Sequence, residues 1–392
     1  MTDIFETLAV TAAQHGTTAM LAALAASLKA RGRWHALFDL RLLEARAALG
    51  LPPTGDLGTL DDATRDRLDE RSLAACREVG WPLLDEGQVA AGWMYLRAAA
   101  EPAEVSRRLA SLAGGPLQDD EAAGRRLQEI VHVALWEGVD PALGIRLVIE
   151  SQGTCNAITA YDQAVARLPA SQQREPAAVL VEHLHHEVFT SLAADLGRRG
   201  LAAPERLTAA TSLVELLDAA GGLKDDPSFH CDVSHLHSVL RIARICVDRS
   251  VLEKAWELAV YADRLPEAVT YPGEPPFEDV GPASRLFYAA LLGREVDEAV
   301  SFFRHAATRD DDGTALPADV LVYLLWRLGR PAEALQAALE RPTAHGVPSL
   351  FQAAGMLPSL VDLAVAGNAV DVLREACRTR GDEITFAATY LA

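Results

Sequence analysis

The sequence predicts an all-α protein built from stacked helical hairpins, and three observations carry that prediction. Apolar residues recur at helical spacing along most of the chain. No run of alternating Val, Ile, Thr and aromatic residues marks a strand, and paired turn signals of the Asn-Gly type are missing. Glycine and proline fall where such helices have to stop and start.

Taken in order, Thr18 to Ala30 and Trp34 to Leu49 are alanine- and leucine-rich helices broken at Gly32. Leu51-Pro52-Pro53-Thr54-Gly55 is the first plain linker, and Asp61 to Val79 resumes the helical spacing. Leu127 to Trp136 is a short helix whose His132 sits at the edge of the apolar face, read as core packing, with a fourth metal ligand as the alternative. Gly138-Val139-Asp140-Pro141 ends that helix and opens another, Asp140 capping and Pro141 in the first position, and Gly153 stops it. Thr154-Cys155-Asn156 then forms a helix junction. A Cys/His/Asn nucleophilic set can be drawn from Cys155 and Asn156, but the spacing matches no cysteine-hydrolase signature. The simpler reading has Asn156 capping the next helix and Cys155 packing as a small hydrophobe.

Two longer helices follow. The first opens at Pro176 and runs to the Gly197 to Gly200 region, with Val181, Leu184, Val188, Leu192 and Leu196 on its apolar face. The second reads from Asp232 through Asp248, with Asp232 or Ser234 as N-cap. Tyr271 to Pro282 holds four prolines and reads as a crossover rather than a helix. Domain boundaries are placed at 1–120, 121–270 and 271–392.

Internal similarity marks the last of these regions. Tyr323-Leu324-Leu325-Trp326-Arg327-Leu328-Gly329-Arg330-Pro331-Ala332-Glu333-Ala334-Leu335 shares its layout with Trp93 to Glu104. Leu291 to Val300 repeats the theme, and Val365 to Leu373 does so more weakly. Over roughly Ala283 to Thr379 the chain resembles tetratricopeptide-like repeats, in which a helix, a tight turn and a second helix stack on neighbouring units. The resemblance implies an α-solenoid and a groove for a protein or peptide. The repeat period is uneven, and similar solenoids also support enzymes, so fold does not decide between them.

Six of the eleven histidines fall between Val179 and Asp248, a density that asks for a chemical reading. On the first long helix His185 lies in the apolar arc and reads as a core histidine. The opposite face carries His183, His186, Glu187 and Thr190, then Ala193, Ala194 and Gly197. A face so free of long charged side chains reads as packed or cavity-lining. On the second helix His235 faces inward, while His237 groups with Arg241, Arg244 and Asp248 and is expected to meet water. His183 with Glu187, and Asp232 with His235, are spaced to converge on one ion, with His230 just before the second helix. The expected site is therefore a divalent metal, Zn, Mn or Fe, held by His183, Glu187, His230, Asp232 and His235, with Glu187 and His186 as catalytic groups. The sequence has no HExxH.

These residues support a metal-dependent hydrolase or lyase acting on a small polar substrate. The alternative is a non-enzymatic interaction scaffold in which the histidines are incidental. The net charge of −19 argues against nucleic acid or an anionic membrane as partner. Five scattered cysteines without a CxxC, an acidic start and an apolar run too short to span a bilayer point to a soluble cytoplasmic protein. Asp310-Asp311-Asp312-Gly313 resembles the start of a calcium loop but has Leu321 where a bidentate Glu is required, so it reads as a solvated turn. Lys224-Asp225-Asp226-Pro227 reads as a loop, and neither GxGxxG nor a P-loop occurs.

Overall fold

In the computed structural model, residues 3–114, 121–219, 231–309, 316–341 and 350–392 are described, and among them every regular element is helical. The chain divides into two compact units, Met1–Gly144 and Ile145–Ala392. No helix among the described residues is long and apolar enough to cross a membrane. The Asp310 segment and the Lys224 loop lie outside the described residues, as does His230.

The first unit opens with α1 (Ile4–Ala30) and α2 (Trp34–Ala48), then α3 (Asp62–Asp85), α4 (Val89–Leu96), α5 (Pro102–Ala113) and α6 (Glu121–Val131). Helix α1 starts well before Thr18, because Asp3 caps it through Phe5 N at 3.0 Å, and it kinks at Gly16, whose φ of 85° no helix interior holds. Its second half packs on α2 and α3. Leu28, Leu37, Leu40, Val79, Leu83 and Tyr95 form one core there, flanked by Trp34 and Phe38. Arg41 ties α2 to α3 by two bonds to Glu78, at 2.7 and 2.9 Å. Helix α6 runs on into a π-helical turn, His132–Trp136, and Asp140 then accepts Leu143 N at 2.9 Å to open α7 (Pro141–Gln152), as its sequence position predicts. His132 departs from expectation. Its side chain is exposed, 3.7 Å from Glu137, because the π turn shifts the register by which the apolar face was projected.

The second unit holds α8 (Thr154–Ala160), α9 (Ala170–Arg199), α10 (Pro204–Ala209), α11 (Leu213–Ala219), α12 (Val233–Ile242) and α13 (Arg249–Asp263). It continues with α14 (Val280–Leu291), α15 (Val296–Thr308), α16 (Leu316–Arg327), α17 (Pro331–Glu340), α18 (Leu350–Ala353), α19 (Leu360–Ala366), α20 (Val370–Arg380) and α21 (Glu383–Ala388). From α13 to α17 each helix packs on the next, and α17, α19, α20 and α21 continue the series. Tight turns join α14 to α15, α16 to α17 and α19 to α20. Gly293 and Gly329 take left-handed φ values of 83° and 70° in the first two, and Asn368 at 51° takes that place in the third.

Helix α9 begins at Ala170, not at Pro176, which is buried inside it. The start is fixed by Gln173, whose amide nitrogen donates to the carbonyls of Ala166 and Leu168 at 3.1 and 2.6 Å while its oxygen accepts the Tyr161 hydroxyl. Gly200 ends the helix in the left-handed conformation. Helix α12 is also shorter than expected. It gives way to a 3₁₀ turn, Ala243–Ile245, and Asp248 then caps α13 rather than closing α12. Side chains from two later helices take its last carbonyls: Tyr288 donates to Leu240 O, Tyr323 to Arg244 O at 3.2 Å, and Arg327 to Cys246 O at 3.2 Å.

Candidate functional site

Three elements meet around the expected centre, since α8 packs on α9 and α12 packs on both. Gly153, at φ 83°, turns the chain so that Thr154 opens α8 beneath the middle of α9. The Thr154 hydroxyl lies 3.0 Å from His183 Nε2 and donates to Glu187 Oε2 at 3.2 Å. The imidazole nitrogen and the carboxylate oxygen are 3.6 Å apart. Both side chains are partly open to water, His183 one-third and Glu187 two-fifths exposed. Cys231, just before α12, adjoins this group. Burial, with Glu187 and Asp232 adding to it, pushes its thiol up to about 12, so it is protonated at neutral pH.

Of the expected ligands, then, His183 and Glu187 come together. Asp232 is occupied as the N-cap of α12: one carboxylate oxygen accepts Ser234 N at 2.7 Å and Ser234 Oγ at 2.6 Å, and these bonds hold its pKa below the usual carboxylate range. His235 is half-buried in the first turn of the same helix. His186 is exposed, and its carbonyl takes the Thr190 hydroxyl at 2.8 Å. Among the described residues no three His, Cys, Asp or Glu side chains are grouped closely enough to hold a metal ion.

The polar face of α9 corrects the expectation of a packed wall. His186, Thr190, Ala194 and Gly197 are all exposed, so their small size reflects an open surface. His185, on the apolar side, is largely buried and bonds Glu257 at 2.8 Å. The same Glu257 oxygen accepts Leu213 N at 2.7 Å, so one carboxylate joins α9, α11 and α13. Cys155 is exposed, and Asn156 bonds back to Gln152 O at 2.8 Å instead of capping a helix. His237 does not meet water as expected. It is half-buried against Tyr271, with ring centres 4.5 Å apart.

Thr154 and Cys231 were not among the expected site residues. The signal for Thr154 was its place directly after Gly153, where a hydroxyl at a helix start faces whatever crosses above it. For Cys231 it was adjacency to the Asp232 cap.

Chemically, the hydroxyl gives its one proton to Glu187, which leaves the His183 nitrogen to donate to the hydroxyl oxygen. That arrangement satisfies all three groups, with the Glu187 carboxylate as the acceptor of the Thr154 proton. Among the described residues the His183/Glu187 pair offers two donors to an ion, where a catalytic metal is held by about three.

A second candidate lies along the C-terminal hairpins. Arg304 of α15 reaches Glu333 of α17 at 2.8 Å, and the same carboxylate binds Arg330 at 2.5 Å. On one side of this bridge is a cavity of about 420 Å³ lined by Thr308, Leu321, Gln336, Glu340 and Arg341. On the other is one of about 440 Å³ reaching Asp297, Ser301 and His305. No protein-family model, curated protein or solved structure matches this chain.

Proposed function

We propose that the chain is a binding scaffold of tetratricopeptide-like helical repeats, arranged as a solenoid, whose C-terminal hairpins take a protein or peptide partner. The observation that carries this reading is the groove formed by α15 and α17, the second helices of two consecutive hairpins, with the Arg304–Glu333 bridge across it. Successive hairpins packed on their nearest neighbours support the repeat reading, since each unit buries its apolar face only by stacking. Five cysteines, all free, suit a reducing compartment such as the cytoplasm.

The test is to pan a random-peptide library against the full chain and measure the enriched peptides against Arg304→Ala and Gln336→Ala. The exposed Arg304 ion pair contributes about 0–1 kcal/mol and the exposed Gln336 makes only a surface hydrogen bond to Glu340, so both variants are expected to fold. Peptides that bind the parent and lose at least tenfold in affinity to either variant support the scaffold. No enrichment, or binding indifferent to both substitutions, refutes it.

A second reading, a metal-dependent hydrolase or lyase using Zn, Mn or Fe on a small polar substrate, draws on the His183, Glu187 and Thr154 cluster. Metal analysis of the purified chain decides it. Stoichiometric metal that is lost in folded His183→Ala supports the reading, and a metal-free parent whose thermal midpoint ignores added Zn, Mn or Fe removes it.

A further inference from the structure

Helix α1 is two helices in one run, and the first of them takes no part in the core. At Gly16 the backbone leaves the helix with φ 85° and ψ 170°, values that only glycine holds without strain. The break sets off an arm, residues 4–15, of which none is buried. At about 3.6 residues per turn Ile4, Phe5, Leu8, Ala9, Ala12 and Ala13 share one half of this arm. Phe5, in the middle of that half, is 76% exposed. Among the described residues the side-chain hydrogen bonds of the arm are local: Asp3 accepts Phe5 N, Thr7 donates to Asp3 O and Thr11 to Thr7 O. A helix of about 12 residues is marginal in water by itself, so an apolar half left open calls for a surface to pack on.

The same unit carries a groove that fits the arm. Between the second half of α1 and α2 lies a cavity of about 940 Å³, lined by Leu21, Ala22, Ala25 and Ala26 of α1 and by Leu43 and Ala47 of α2. Alanines on both walls leave depth for a phenyl ring. The groove runs beside residues 17–29, about 20 Å of helix, and the arm is about 18 Å long. Charge agrees as well. The arm with its cap holds Asp3 and Glu6 and no lysine or arginine. Lys29, Arg41 and Arg71 stand at the groove with Glu44, and when Glu78, which pairs with Lys29 and Arg41, is counted too, one positive charge is left over.

The arm does not reach the groove of its own chain. A helix laid alongside α1 has its axis about 8–10 Å away, and antiparallel helices are joined by about two or more loop residues, whereas Gly16 is the one non-helical residue between arm and groove. A second copy of the chain has no such constraint. Because each copy offers both an arm and a groove, the exchange closes on itself around a two-fold axis. We propose that residues 4–15 are an exchange arm: in a symmetric dimer the arm of each copy lies, apolar half down, in the groove between α1 and α2 of the other. This contact is independent of the peptide groove and of the His183/Glu187 pair.

Sedimentation equilibrium of the full chain at tens of micromolar tests the exchange, with circular dichroism to check that each variant is folded. The parent is expected at twice its chain mass. Phe5→Asp in the arm and Ala22→Glu in the groove, both at exposed positions, should each raise the dissociation constant at least tenfold. Arg71→Glu, exposed at the rim, should also weaken the dimer and serves if Ala22→Glu does not fold. Mixing the two variants separates exchange from an arm seated in its own chain. The Phe5→Asp copy keeps an open groove and the Ala22→Glu copy an intact arm, so the mixture should associate more tightly than either variant alone. The proposal is overturned if the parent is a monomer at these concentrations, if its dimer is indifferent to Phe5→Asp and to the groove variants, or if the mixture recovers no association.

Discussion

The hairpin of α3 and α4 depends on two helices touching backbone to backbone, and Gly92→Ala tests that contact. A Cβ at Gly92 would stand 2.8 Å from Leu84 N and 3.0 Å from both Gly80 O and Leu84 Cα, all backbone atoms that no rotamer change can move. In an exposed helix interior the same change stabilises by about 1 kcal/mol, because alanine loses less backbone entropy than glycine. Overpacking costs about 1–3 kcal/mol, and a backbone contact lies at the upper end of that range. The contact therefore wins, with a net loss of about 1–2 kcal/mol. Gly124→Ala is the control in the same unit: Gly124 is in the middle of α6, exposed, with nothing within 4 Å of its Cβ position, so the propensity gain stands alone. Gly80→Ala falls between them, since its nearest neighbours are the Leu96 side-chain atoms at 2.7 and 2.9 Å, which can shift. Urea unfolding followed by tryptophan fluorescence reads all three, with Trp81 and Trp93 flanking the crossing. A Gly92→Ala midpoint at or above that of the parent would refute the close approach of the two helices.

Further outcomes follow from the buried polar groups. Glu78 is held down to about 2, chiefly by its bond to Arg41 and then by Lys29. A carboxylate depressed on folding contributes its stability above its ordinary value of 4.5 and loses it as pH falls from there toward 2. Glu78→Gln should therefore destabilise the first unit by about 1 kcal/mol at pH 7, with the gap to the parent closing below pH 4.5 in urea titrations. A gap independent of pH would refute the ion-pair account. Gln173→Leu strands the buried Tyr161 hydroxyl and the carbonyls of Ala166 and Leu168, and should cost about 2–4 kcal/mol in thermal or urea unfolding; a loss below about 1 would show that the start of α9 is fixed elsewhere.

Helical class and most helix ends were legible because they depend on local chemistry: apolar spacing, the Asp140 and Asp232 caps, and the left-handed glycines after α9 and α16. What was not legible depends on partners distant in sequence. Pro176 satisfies every local rule for a helix start, yet the helix begins six residues earlier, at Ala170, where Gln173 bonds the preceding turn. The small polar residues of α9 fit a cavity wall as well as an open surface, because side-chain size carries no information on what lies opposite. The same ambiguity governs the stripe of His237, Arg241 and Arg244. Polarity alone assigns all three to water, and for Arg241 that holds in part, since it pairs with the partly exposed Asp162. For His237 and Arg244 the proline-rich crossover carrying Tyr271 and Phe277 folds against them, leaving His237 half-buried and Arg244 buried. A guanidinium that polarity places outside and the fold encloses, with no carboxylate paired to it among the described residues, is set by the tertiary packing of a distant segment and not by any pattern in its own helix.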